Sequence, residues 1–268
     1  VKATLWIAVN VFRESVRDKV LYNLVVFAIL MIGASYLIGQ LTAGQDVKII
    51  KDLGLSAIAV FGLFIAVFIG IQLVSKEVER RSIYSMLSKP IHRHQLVLGK
   101  YLGLVLTLAV NLAVMVIAFY AVLAYMQWTA PPAVLAALDG PALDPRLLKA
   151  VVLIFGQLAI VTAIAVFFSS FSSPILSASF TLGLYVAGHF SSDLRNFDQV
   201  IDSKVAQTIA RGFYWVLPNL AAFDVKSQVV HAVPVPAGYL ALTLLYGAAY
   251  VAALLTMAVM IFSRRDFK

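Results

Sequence analysis

Residues 74–103 read VSKEVERRSIYSMLSKPIHRHQLVLGKYLG, a charged stretch set between two long apolar segments. Six of its residues are basic (Lys76, Arg80, Arg81, Lys89, Arg93, Lys100) and two are acidic (Glu77, Glu79). A cluster of Lys and Arg beside membrane-length apolar runs stays on the cytoplasmic side. Its middle can also fold into a short amphipathic helix. Ile83, Met86 and Leu87 fall at i, i+3 and i+4, and Pro90 ends the turn. A helix held there, just off the membrane, suits docking against a soluble partner. The plainer reading is a solvated positive-inside loop.

The chain around this stretch has 268 residues, of which 62% are hydrophobic and 13% charged. Its mean hydropathy is +0.92. Soluble domains carry about 25% charged residues, so this chain has too few to cover a water-facing surface. Several uncharged runs exceed the roughly 20 residues that cross a bilayer. The reading is an all-α polytopic membrane protein, residues 1–268 forming one transmembrane domain. The net charge of +8 follows from positive-inside sorting rather than from a nucleic-acid surface, because the basic residues sit beside apolar runs. With no cysteine, disulfides, thiolate metal sites and cysteine nucleophiles are excluded. No cleavable signal peptide is expected, and the first apolar run is read as an uncleaved anchor.

Outward toward the N-terminus, Leu5, Val9, Phe12 and Val16 recur at helical spacing while Arg13, Arg17 and Asp18 take other faces. This predicts a helix over 1–19 lying in the membrane interface against lipid headgroups. Six spans are expected, at 20–40, 53–74, 99–127, 147–168, 174–190 and 237–262. The loop at 75–98 joins the second to the third. Tyr125 and Trp128 read as an interfacial belt, and the four prolines between Thr129 and Arg146 mark a turn-rich connection. Ser169, Ser170, Ser172, Ser173 and Pro174 break a run too long for one helix. The segment 191–236 is polar at first; then Val205, Ile209, Phe213 and Val216 recur at helical spacing. Phe213, Tyr214 and Trp215 suit anchoring at the membrane surface, ahead of Leu217-Pro218-Asn219. Six spans place both termini on one side. With that side cytoplasmic, 13 of the 21 Lys and Arg lie inside with five acidic residues, and eight lie outside with eight acidic residues. The bias fixes the expected orientation.

Catalytic chemistry is hard to find. Gly99-Lys100 is the only Gly-Lys pair, Tyr101 follows it, and no glycine stands five residues before Gly99, so it is no P-loop. Histidines 92, 94, 189 and 231 are too few and too scattered for a metal centre. No carboxylate falls inside a span, which leaves no paired acids for a proton pump or a membrane protease. Gln72, Asn111, Gln157, Thr162, Ser177, Ser179 and Thr181 are uncharged polar residues within spans. Each can hydrogen-bond a neighbouring helix, and Asn111, Gln157 and Thr162 are candidates to line a dimer interface or substrate path. Gly99-x-x-x-Gly103 has small-residue packing spacing.

The order K-E-x-E-R-R-S-I-x-x-x-L-S-K-P-I-x-R, followed by L-x-L-G-K-Y-L-G, resembles the cytoplasmic coupling loop of ABC-2 type ABC-transporter permease subunits (type V fold). It is most similar to the branch of multicopper-enzyme and nitrous-oxide reductase maturation permeases. Arg81-Ser82 stands where many members have Gly-Thr. The resemblance implies an elbow helix over 1–19 and a coupling helix within 75–98. It also implies short outer helices within 191–236 that cap the pathway. It implies a non-catalytic subunit of the inner membrane with cytoplasmic termini, paired with a second permease copy and two copies of an ABC ATPase. ATP and Mg would then sit in that partner, and this chain would bind no cofactor. Glu77, Glu79, Ile83, Tyr84, Leu87, Lys89 and Arg93 are the implied ATPase contacts. Phe213, Tyr214, Trp215 and Pro218 would form an outer gate. Membrane lipids and a periplasmic accessory protein are further expected partners. Three functions fit: substrate export, transmission of ATPase work to a periplasmic partner in metalloenzyme maturation, and a stand-alone channel or membrane enzyme.

Overall fold

The computed structural model describes residues 2–41, 46–79, 93–130, 141–191, 212 and 216–264. Among these residues every regular element is helical. The elements are α1 (Lys2–Val16), α2 (Lys19–Gln40), α3 (Asp46–Glu79), α4 (Arg93–Thr129), α5 (Leu147–Ser169) and α6 (Pro174–His189), then a 3-10 turn (Ala221–Phe223), α7 (Lys226–Val230) and α8 (Ala237–Arg264). Five of them, α2, α3, α4, α5 and α8, are long and apolar enough to cross a membrane. The chain is a polytopic, all-α membrane protein. The expected fifth span at 174–190 corresponds to α6, which has 16 residues. That is about 24 Å of helix, short of the roughly 30 Å hydrocarbon core.

The break between α1 and α2 is chemical. Arg17 and Asp18 interrupt the helix, and Asp18 Oδ1 accepts a hydrogen bond from Val20 N at 2.9 Å, capping α2. On α2 the buried residues are Leu21, Val25, Ala28, Ile32, Ser35 and Gly39, alternating steps of four and three that form one narrow seam. The seam packs on α3 and α4. The opposite face, with Tyr22, Phe27, Leu30 and Leu37, is exposed.

α3 starts at Asp46, so Lys48, Lys51 and Asp52 stand on its first turns rather than in a loop. α3 and α5 run parallel and close: a Cβ on Gly70 would stand 2.5 Å from Ala165 Cβ. α5 is the hub of the molecule. It touches α3, α4, α6 and α8, and Leu153, Ile154, Ile160, Val161 and Ile164 are almost wholly covered. A chain buried on all sides reads as continuously apolar, and α5 does so except at Lys149, Gln157, Thr162 and Ser169. α6 folds back on α5 through Ser170–Ser173, with Pro174 on its first turn. Phe167, Phe168, Phe171 and Phe180 pack edge to face and tilted around that turn, at 5.3 to 5.9 Å between centroids.

α1, the helix expected to lie in the membrane interface, runs along the first half of α4. A Cβ on Gly99 would stand 2.8 Å from Ile7 Cβ, and one on Gly103 would stand 2.6 Å from the Ala8 carbonyl oxygen. The Gly99-x-x-x-Gly103 spacing is therefore the seat of α1. Ala8, Val11 and Ser15 face it and are buried, while Leu5, Trp6 and Val16 are exposed on other sides. The apolar stripe legible in the sequence is mostly the outward one; the inward one is carried by small residues.

Candidate functional site

Among the described residues, helix ends gather on one side of the molecule, which we call the basic end: the start of α1, the finish of α3, the start of α4, the finish of α5 and the start of α6. α8 finishes there too, at Arg264. α3 has 34 residues and α4 has 37, about 51 Å and 55 Å, each well beyond a 30 Å core. The charged stretch connects them. Ile83, Tyr84, Leu87 and Lys89 lie outside the described residues. Glu77 and Glu79 stand on the last turns of α3 and Arg93 opens α4.

At the opposite end, cationic side chains tie loops onto the bundle. Lys51 Nζ donates to the Pro141 carbonyl at 3.0 Å and Lys149 Nζ donates to the Val235 carbonyl at 2.7 Å. Tyr120 Oη donates to the Asp144 carbonyl at 3.1 Å. Asp144 itself caps the turn before α5, accepting from Arg146 N at 2.9 Å. Lys51 and Asp144 are both buried. These bonds replace hydration that the burial removes.

Between the two ends the chain Val216–Phe223 dips alongside α8 without forming a long helix. Irregular backbone at that depth must find its hydrogen bonds inside the protein, and tyrosines supply several. Tyr250 Oη donates to the Val216 carbonyl at 2.8 Å, Asn219 N donates to Tyr246 Oη at 2.9 Å, and Tyr239 Oη donates to the Ala222 carbonyl at 2.7 Å. Leu220 N donates to the Gly188 carbonyl at 3.0 Å, pinning the segment to the end of α6. Pro218 is buried here; Phe213, Tyr214 and Trp215 lie outside the described residues.

Asn111, Gln157 and Thr162, the in-span candidates for a pathway or dimer interface, do not come together. Asn111 Nδ2 donates to the Thr107 carbonyl at 2.8 Å and Thr162 Oγ1 to the Leu158 carbonyl at 2.8 Å, each one turn back in its own helix. Gln157 differs. It is buried on α5 and its Nε2 stands 2.9 Å from His189 Nε2 on α6. His189 Nδ1 is 3.0 Å from the Tyr185 carbonyl. A carbonyl only accepts, so Nδ1 carries the proton and Nε2 accepts from Gln157. Tyr185 lies over the imidazole with 4.5 Å between centroids. The signal for this pairing was a lone amide in an apolar helix and a histidine one helix later. Among the described residues no three His, Asp or Glu side chains cluster as metal ligands do.

The family model described as ABC-2 family transporter protein matches residues 5–267 of this chain. No curated protein matches it.

Proposed function

Because the chain belongs to the ABC-2 transporter family, which makes it a membrane subunit of an ABC transporter, we propose that it couples ATP hydrolysis in a separate ATPase to conformational work across the inner membrane. The basic end faces the cytoplasm. The segment 75–98 is the coupling loop, and Glu77, Glu79, Ile83, Tyr84, Leu87, Lys89 and Arg93 contact the ATPase. A second permease copy and two ATPase copies complete the assembly, with ATP and Mg bound by the ATPase and catalysis confined to it. The observation that carries this reading is the length of α3 and α4. Two helices that overrun the hydrocarbon core can hold the loop between them off the membrane, within reach of a soluble subunit.

The cargo is not written in the fold. Asn111 and Thr162 spend their polar atoms within their own helices, which leaves the apolar walls as the feature a cargo would meet and favours a lipid-like substrate for export. The similarity of the 74–103 stretch to the maturation branch favours a second reading, in which the work is delivered to a periplasmic accessory protein.

The test is co-purification from native membranes, followed by ATPase assay, for the unaltered chain and for Glu77→Arg and Leu87→Arg. An ATP-binding subunit that copurifies and is released by both changes supports the coupling loop. If nothing copurifies, or neither change matters, the stretch is a positive-inside anchor and the coupling reading is lost. An accessory protein retained with the complex selects the second reading over export.

A further inference from the structure

α4, α5 and α8 enclose a lateral cavity of about 660 Å3. Tyr101 of α4 and Ala159 of α5 form its floor, α8 from Leu244 to Met260 forms one wall, Phe223 stands at one end and His94 at the other. The lining on α8 covers 16 residue steps, about 24 Å along the helix axis. A volume of about 660 Å3 over that length gives a mean cross-section of about 27 Å2. An α-helix with its side chains is 10–12 Å across and needs about 80 Å2 or more. A groove that narrow and long suits one hydrocarbon chain along its length.

Its chemistry is equally restrictive. The two hydroxyls in the lining are spent inside the protein: Tyr101 Oη donates to the Ala159 carbonyl at 3.2 Å, and Thr256 Oγ1 donates to the Ala252 carbonyl at 2.7 Å. Away from His94 at its mouth, the groove offers a sugar or nucleotide no free hydroxyl donor, and burying its polar groups unpaired is costly. An acyl chain has none to bury. At the basic end the groove opens beside His94, where α4 begins at Arg93 and α8 finishes at Arg264. That charge complements a phosphate headgroup.

We propose that this groove is a binding site for one acyl chain of an anionic phospholipid from the leaflet at the basic end. Small residues on α8, Gly247, Ala248 and Ala252, open the groove wall. The site depends on the membrane setting of the bundle and not on ATP coupling, so it stands or falls separately from the function proposed above.

The test uses the full chain in phosphatidylcholine vesicles containing phosphatidylglycerol with a diazirine at mid-chain, followed by peptide mapping after photolysis. Saturable labelling of residues 244–260, competed better by unlabelled phosphatidylglycerol than by phosphatidylcholine, is the expected result. Ala248 and Ala252 are exposed, so Ala248→Phe with Ala252→Phe fills the groove without entering the core. The filled variant should bind at least about tenfold more weakly, equivalent to about 1.4 kcal/mol, while labelling of the outward face of α2 stays the same. Ala252→Phe alone, checked by gel filtration, guards against a folding defect and should give a smaller loss. Uniform, non-saturable labelling of every outward face, or labelling unaffected by the filled variant, overturns the site. Labelling abolished by cross-linking two copies overturns it in favour of a protein interface. Equal competition by the two lipids overturns the anionic assignment.

Discussion

Gln157 on α5 and His189 on α6 meet at 2.9 Å, and theirs is a side-chain to side-chain bond across two packed helices in an otherwise apolar contact. Because the Tyr185 carbonyl holds the other ring nitrogen, the imidazole cannot turn to another partner without breaking a second bond. The amide has little choice either, since Gln157 is buried.

Removing either partner strands the other. His189→Leu or Gln157→Leu alone should destabilise the purified protein by about 1–3 kcal/mol, the cost of a buried polar group left unpaired. The double substitution should recover most of that loss, since two apolar groups of similar shape can replace the pair. Thermal unfolding in detergent for all four proteins tests the pair. Additive losses would mean that the two side chains do not interact.

The seat of α1 can be tested with one methyl group. A Cβ on Gly103 would stand 2.6 Å from the Ala8 carbonyl oxygen, so Gly103→Ala must push α1 away from α4. Overpacking of this kind costs about 1–3 kcal/mol. Hydrogen exchange at the amides of 4–16 should accelerate in Gly103→Ala and stay unchanged in Ala113→Ser, an exposed position further along α4. Unchanged exchange in both would remove Gly103 as the contact.

The dipping segment gives a narrower prediction. Asn219 N has Tyr246 Oη as its acceptor at 2.9 Å. In Tyr246→Phe that acceptor is gone, and the segment should lose about 1 kcal/mol of local stability. The Asn219 amide should exchange roughly fivefold faster, while amides of α5 keep their rates. Equal acceleration throughout would point to general loosening instead.

One backbone position invites a gain. Ala232 follows α7 with φ of 57°, and its N–H bonds back to the Val229 carbonyl at 3.1 Å, the arrangement that glycine favours after a helix. An alanine in the left-handed region costs about 1–2 kcal/mol, so Ala232→Gly should raise the thermal midpoint. A fall would show that the turn is held for another reason.

How much of this was legible beforehand depends on the kind of contact. The long apolar runs announced their helices because charge exclusion acts on each run alone, residue by residue. α6 was harder: its apolar stretch continues to Phe190, so composition could not tell a 16-residue helix from a full crossing. The spacing of Gly99 and Gly103 was visible, but glycines mark a close approach without naming what approaches. Their partner α1 lies some 90 residues earlier, and its facing residues, Ala8 and Ser15, carry little hydropathic signal. Gln157 stood out as polar in an apolar helix; its role needed His189, and only the fold brings them together. Asn111 and Thr162 looked equivalent to Gln157 in sequence and turned out to bond within their own helices.

The placement of α5 at the hub has a consequence for biogenesis. It leaves the ribosome after α3 and α4, yet each of them devotes a face to it. Until residues 147–169 arrive, those faces wait against lipid. The bundle thus cannot be completed in the order of synthesis; the earlier helices must stay loosely associated long enough for a later one to slip between them.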